Sequence, residues 1–155
     1  MKIALISDSH DNLNLIKRFV EDIKGRGVDL IIHLGDIISP FSAREFLRAE
    51  KKIISVFGNN DGEVKGLSDL LDIKPFPREL EIDGKKILLY HDPLFDENKV
   101  EPWDFLFYGH THKKYFIKRG KTLIINPGEL CGYLTSLSTY VTLDLKNPVP
   151  HFHNL

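Results

Sequence analysis

Residues 2–36 read KIALISDSHDNLNLIKRFVEDIKGRGVDLIIHLGD. Lys2 to Ser7 is a short apolar run with the pattern of a buried strand, and Asp8 to Asn12 is a polar loop. Leu13, Ile16, Phe19, Val20 and Ile23 then recur at helical spacing, and Gly25 and Gly27 end the helix. Val28 to Leu34 is a second buried strand, followed by Gly35-Asp36. Two apolar strands joined through an amphipathic helix form a βαβ unit, and that connection dictates parallel pairing. The alternation continues. Ala43, Phe46 and Leu47 mark a second helix with Arg44, Glu45 and Arg48 on its wet side, and Lys52 to Phe57 is a third strand broken by Gly58.

Beyond Gly58 the pattern changes. Pro75 to Ile82 and Lys85 to Tyr90 are extended runs joined at Asp83-Gly84, a hairpin signal. Phe105 to Tyr108 is a strand ending at Gly109. Tyr115 to Lys118 and Lys121 to Ile125 flank Arg119-Gly120, a second hairpin, and Ser138 to Leu145 alternates like a strand with one wet face. A parallel first third and a β-rich remainder imply an α/β chain in which two sheets pack together with helices outside.

The chain has 155 residues, enough for one domain over residues 1–155 with a sizeable core. Hydrophobic residues make up 42% and charged residues 28%, which excludes a disordered chain. Lys and Arg number 21 and Asp and Glu 22, a formal net charge of −1. No global field draws this chain to nucleic acid or an acidic membrane, so any anion must be held locally. Cys131 is the only cysteine, which precludes an intrachain disulfide and fits a reducing compartment. No apolar run approaches the ~20 residues of a membrane helix, and none near Met1 is long enough for a signal-peptide core. The expectation is a cytoplasmic protein that makes no membrane contact.

The informative residues sit where strands end. The first strand runs into Asp8-Ser9-His10, the second into Gly35-Asp36, and the third into Gly58-Asn59-Asn60-Asp61. Lys85 to Tyr90 runs into His91-Asp92, and Phe105 to Tyr108 into Gly109-His110-Thr111-His112. Loops at the carboxyl ends of such strands converge and bind ligands. Asp8-x-His10 and His110-x-His112 are i, i+2 pairs, whose side chains leave an extended segment on the same side. Carboxylate, imidazole and one amide oxygen suit a divalent ion such as Mn²⁺, Fe²⁺, Co²⁺, Ni²⁺ or Zn²⁺. The candidates are Asp8, His10, Asp36, Asn59, His91, His110 and His112. Seven ligands exceed one tetrahedral site, but shared between two ions they make a two-metal centre suited to hydrolysis of phosphate esters. Two divalent ions outweigh two aspartates and a bridging hydroxide, so such a site attracts a phosphodiester although the chain is slightly acidic.

These motifs, in this order, resemble those of the calcineurin-like metallophosphoesterases. The short length and Asn126-Pro127-Gly128 are similar to the small single-domain YfcE-like phosphodiesterase branch. The resemblance runs from Lys2 to about Leu145. It implies a four-layer αββα sandwich of two mixed β-sheets flanked by helices. It also implies that Asp8, His10 and His112 hold one metal, that Asn59, His91 and His110 hold a second, and that Asp36 bridges them. The implied activity is that of a divalent-metal-dependent phosphodiesterase using a metal-bridging hydroxide at a binuclear centre. Its expected cofactors are two divalent ions, with Mn²⁺ the first choice and Ni²⁺, Co²⁺, Fe²⁺ or Zn²⁺ the alternatives, and its expected substrate is a small phosphodiester. In that scheme Asp36 positions both ions, Asn59 holds the second, His110 joins the metals in stabilising transition-state charge, and Asp61 orients the Gly58 loop or a ligand.

Two departures bear on catalysis. Asn60 replaces the family's motif histidine and supplies no proton to a leaving group at neutral pH. Asp92 stands where the family more often has Gly, and it could hydrogen-bond a ligand histidine, replace the missing acid or shape the turn. The rival readings are a catalytically weak or inactive phosphoesterase-fold scaffold for protein interaction, and a nuclease, although long nucleic acid is disfavoured by the charge. Of the remaining polar residues, His33 reads as a packed or supporting residue, His151 and His153 as a solvated tail, and Cys131 as packing only. Lys113, Lys114, Lys118, Arg119 and Lys121 read as a wet hairpin face or a phosphate-attracting rim, and residues 91–104 as a loop beside the site. The β-rich half offers edges through which a homodimer or homotetramer could form.

Overall fold

The computed structural model describes residues 1–155. β1 (Lys2–Ile6) is buried on both faces, as its unbroken apolar run requires. α1 (Leu13–Lys24) is capped by the Asn12 side chain, which accepts from the Leu15 N–H, and Lys24 in its last turn favours the helix dipole. Its Ile16, Phe19, Val20 and Ile23 are buried, at roughly 1.5–3 kcal/mol for each large side chain. β2 (Leu30–His33), α2 (Pro40–Leu47) and β3 (Lys52–Val56) complete the alternation, with Pro40 in the first turn of α2, where its missing N–H costs nothing. α3 (Val64–Ser68) and β4 (Asp72–Lys74) follow. The second half comprises β5 (Arg78–Ile82), β6 (Lys85–Leu89), β7 (Phe105–Phe107), β8 (Lys114–Arg119), β9 (Thr122–Pro127), β10 (Thr139–Asp144) and β11 (His151–Asn154).

The strands form two mixed sheets. The first has the order β11-β10-β1-β2-β3-β4, with β1 to β4 parallel and β10 antiparallel to β1. The second has the order β5-β6-β7-β9-β8, with β6, β7 and β9 parallel and antiparallel hairpin strands at both edges. Ile3, Leu5, Ile32 and Val56 from the first sheet meet Ile87, Leu89, Phe105, Phe107 and Ile125 from the second. The other face of the first sheet, through Ala4, Ile6, Ile31 and Ile53, packs on Phe19, Phe46 and Leu67 of the three helices. These are the α/β class and the paired mixed sheets expected from the sequence.

The layer outside the second sheet is the 91–104 connection, which contains no helix. Its Phe95, Val100 and Trp103 cover Leu88, Leu106, Tyr108 and Ile124. The expectation that this connection borders the site is therefore corrected beyond its first residues: its apolar side chains are spent on the sheet's outer face. The reading of His151 and His153 as a solvated tail is also corrected: both are in a strand, and although His151 is exposed, His153 is partly buried. They lie in β11, where His153 stacks on Tyr140 at 4.7 Å and its Nε2 meets the Thr142 hydroxyl at 2.8 Å. No helix is long and apolar enough to cross a membrane.

Candidate metal centre

The carboxyl ends of β1, β2 and β3 in one sheet and of β6 and β7 in the other meet at one edge of the sandwich. Backbone bonds lock their loops together. Asp8 N–H donates to the Gly35 carbonyl, Ser9 and His10 N–H donate to the Asp36 carbonyl, and Gly109 N–H donates to the His91 carbonyl. Two glycines let the loops approach: a Cβ on Gly58 would collide with the Asp36 carboxylate, and one on Gly109 with the Ser7 hydroxyl.

All seven candidate residues converge there, in two groups sharing Asp36. In the first, His10 Nε2 lies 3.8 Å from Asp8 Oδ1 and 3.4 Å from Asp36 Oδ2, and His112 Nε2 lies 3.4 Å from Asp8 Oδ1. The His10 and His112 rings stack with centroids 5.2 Å apart. In the second, Asn59 Oδ1 is 2.9 Å from both His91 Nε2 and His110 Nδ1, and His91 Nε2 is 3.6 Å from Asp36 Oδ2. Ligand atoms held about 2.1 Å from one ion stand about 3.0 Å apart at right angles and about 3.4 Å apart at tetrahedral angles. The separations in the two groups, 2.9–3.8 Å, bracket those values.

The protons make the case sharper. His91 Nδ1 is 2.7 Å from the Leu34 carbonyl, which only accepts, so Nδ1 carries the hydrogen, and in that neutral tautomer the Nε2 lone pair faces inward. That lone pair faces the acceptor Asn59 Oδ1, and His110 Nδ1 stands 3.3 Å from it. A single proton on His110 Nδ1 relieves only one of these contacts at a time. In the first group Asp8 Oδ1 and His10 Nε2 are buried with no hydrogen-bond partner at all. Burial pushes the Asp8 carboxyl above its ordinary range. A buried carboxylate oxygen without a donor, beside ring nitrogens and an amide oxygen crowded together, is what a divalent cation satisfies, so these residues fit the metal chemistry inferred from the sequence.

The reason for the convergence differs from the one given by i, i+2 spacing. Asp8, His10, Asp36, His110 and His112 all have φ between 41° and 62°, the left-handed region, not an extended strand. Spacing along a strand therefore does not aim these side chains. The His110-x-His112 pair is split between the two groups because each residue turns on its own backbone.

Several supports surround the groups. Asn60 donates from its N–H to Asp36 Oδ1 and from its side-chain amide to Asp36 Oδ2, both at 2.8 Å. Asp61 accepts from the N–H groups of Asp36 and Gly58 through Oδ2 and of Ile38 through Oδ1, which ties the loops after β2 and β3 together. Burial raises the Asp61 carboxyl although these bonds oppose it. His33 is buried, accepts from Gly35 N–H and meets the Ser9 hydroxyl at 3.0 Å, and burial drives its pKa down to about 3. Asp92 makes no side-chain hydrogen bond to a histidine; its carbonyl closes a turn to Leu94. The basic hairpin divides. Lys113 and Lys114 share a cleft with His112, whereas Arg119 and Lys121 lie 3.6 Å and 3.9 Å from Glu97 and Asp104.

Sequence reading passed over Glu129. It is fully buried, and its Oε2 lies 2.7 Å from His112 Nδ1 and accepts from the Cys131 thiol at 3.1 Å. Burial alone would raise its carboxyl, but the bonds from His112 and Thr135 outweigh that and bring it down to about 2. Burial pushes the Cys131 thiol up to about 12, so although its sulfur lies within 4.8 Å of the His10 and His112 nitrogens it stays protonated and does more than fill space. A signal was present in the sequence: Glu129 is the only charged residue between Lys121 and Asp144.

Residues 1–148 match the calcineurin-like phosphoesterase superfamily domain. The chain is 37% identical to the phosphodiesterase MJ0936 of Methanocaldococcus jannaschii over 157 residues, with 94% of each protein covered. A solved structure of a novel archaeal phosphodiesterase superimposes on all of both chains with a TM-score of 0.92 at 35% identity. That of the phosphoesterase YfcE of Escherichia coli superimposes with a TM-score of 0.75 at 26% identity, covering 94% of this chain and 89% of that one.

Proposed function

The chain belongs to the calcineurin-like phosphoesterase superfamily, and from that premise we propose that it is a divalent-metal-dependent phosphodiesterase that cleaves small phosphodiesters as one catalytic unit over residues 1–155. The observation that carries this reading is the meeting of buried, proton-poor acceptors at one edge of the sandwich, with Asp8 Oδ1 and His10 Nε2 left without partners. Asp8, His10 and His112 are assigned to one ion, Asn59, His91 and His110 to a second, and Asp36 to both. Bound divalent ions would neutralise phosphoryl oxygens and lower the pKa of a water enough to make it a nucleophile at neutral pH. The mixed oxygen and nitrogen donors favour Mn²⁺, with Ni²⁺, Co²⁺, Fe²⁺ and Zn²⁺ as alternatives.

The chain's own residues set the selectivity. Asn60 spends its backbone and side-chain donors on Asp36, so it orients that carboxylate and has no proton for a leaving group. Diesters with acidic aryl leaving groups are therefore expected to react faster than alkyl diesters by about 10²–10⁴-fold, the typical worth of a general acid. Lys113 and Lys114, beside His112 and free of ion pairs, supply the local positive rim for a small anion. Pairing of Arg119 with Glu97 and of Lys121 with Asp104 interrupts the basic surface that a nuclease would need.

The test is hydrolysis of bis(p-nitrophenyl) phosphate and p-nitrophenyl phosphate by chelator-stripped protein with each metal added back, using Asp36→Asn as control. Metal-restored cleavage of the diester above the monoester, lost in the control, is expected. Two ions bound per chain without turnover on either ester would overturn the enzymatic reading in favour of a scaffold.

A further inference from the structure

We propose that Glu129 is a positioning residue for the first ion of this centre, fixing His112 as the Nδ1–H tautomer so that its Nε2 lone pair is delivered to the metal. The inference rests on the two-ion reading above and adds a residue to it. Three observations carry it.

The first is that the carboxylate is set independently of the histidine. Its own loop supplies four donors: the N–H groups of Tyr133, Leu134 and Thr135 and the Thr135 hydroxyl. With these bonds made, Glu129 holds His112; His112 is not what holds Glu129. The second is direction. Glu129 Oε2 is 2.7 Å from His112 Nδ1, while Nε2 of the same ring points at Asp8 Oδ1, 3.4 Å away. With the loop's N–H and O–H donors already directed at both of its oxygens, the Glu129 carboxylate faces Nδ1 as an acceptor, so the hydrogen resides on Nδ1 and the inward nitrogen is free to bind a cation. The third is the contrast between the groups. His91 is oriented by a neutral backbone carbonyl, that of Leu34. His112 is oriented by a carboxylate, which holds its ring by a charge-assisted bond. The two ion sites are thereby unequal, and Glu129 sets the difference.

The experiment uses the full chain in three forms: wild type, Glu129→Gln and Ser138→Ala. Long-range ¹H–¹⁵N spectra of histidine-labelled, metal-free protein report the His112 tautomer, and calorimetric titration with Mn²⁺ reports the affinity of each ion. Wild type is expected to show His112 protonated at Nδ1. Glu129→Gln is expected to mix the tautomers and to weaken one of the two ions about 10–100-fold while sparing the other. Ser138→Ala removes a buried hydroxyl bond to the Leu130 carbonyl in the same loop but bonds neither Glu129 nor His112, so the tautomer and both affinities are expected to stay near wild type.

Unchanged tautomer and unchanged affinities in Glu129→Gln would overturn the assignment. Equal weakening by both variants would also overturn it, because loop integrity would then be the cause. If Glu129→Gln does not fold, the wild-type spectrum decides: a hydrogen on Nε2 of His112 refutes the proposal. A wild type that binds fewer than two ions counts against the two-ion reading instead, and the tautomer arm still tests Glu129.

Discussion

Asp61→Asn separates the scaffold of the centre from its ligands. Asp61 is 7% exposed and touches no candidate metal-binding side chain, yet its two oxygens accept three backbone N–H groups at 2.7–2.9 Å. Asparagine has one oxygen. Placed where Oδ2 was, that oxygen keeps the bonds from Asp36 and Gly58 and turns an amide N–H toward the Ile38 N–H. Placed the other way, it keeps one bond and loses two. The better arrangement loses one charge-assisted bond and leaves one donor unpaired, a cost of about 1–3 kcal/mol. Relief of the buried charge, which already raises the Asp61 carboxyl, puts the expected value toward the lower end. In a chain of this size each kcal/mol moves Tm by roughly 2–4 °C, so a cost of about 1–2 kcal/mol lowers it by roughly 2–8 °C in differential scanning calorimetry of metal-free protein. The functional effect is separate. The lost bond frees the segment after Asp36, so Mn²⁺ affinity by titration calorimetry is expected to drop about 10–100-fold. A variant with wild-type Tm and wild-type affinity would refute the claim that Asp61 is what joins the loops after β2 and β3.

Two further outcomes are expected. Gly109→Ala drives a methyl into the Ser7 hydroxyl and to 3.0 Å from Asp8 Oδ2, and should cost about 1–3 kcal/mol by overpacking together with loss of metal-dependent turnover; an unchanged denaturation midpoint would count against the close approach. His33 should make the fold acid-sensitive: the unfolded chain takes up a proton near pH 6.5 while the folded one resists until about 3, so stability is constant above 6.5 and falls as pH is lowered below it, by up to about 1.4 kcal/mol per unit. His33→Asn should flatten that slope in urea titrations with chelator present, and a slope equal to wild type would show that another group is responsible.

The residues that carry chemistry were legible before the fold was known because polar side chains at the ends of apolar strands are conspicuous. Asp8, Asp36, His91 and His110 each interrupt or follow a run that local physics would otherwise keep apolar. Periodicity also marked α1 through Ile16, Phe19, Val20 and Ile23, and the hairpins through Asp83-Gly84 and Arg119-Gly120. It did not mark α3, β4 or β11. These are three to five residues long, too short for either period to register.

The sequence by itself determined the class of fold, the five strand ends and the donor types, since apolar spacing and side-chain chemistry are local properties. Tertiary structure decided how those donors are aimed. Left-handed backbone at Asp8, His10, Asp36, His110 and His112, stable only because neighbouring loops hold it, divides them into two groups about one shared carboxylate. Tertiary structure also set Asn60 against Asp36, spent the 91–104 connection on the outer sheet face and brought Glu129, seventeen residues beyond His112, to 2.7 Å from its ring. None of these contacts has a sequence period. Each is fixed by packing two sheets face to face, where the position of a loop depends on residues far away along the chain.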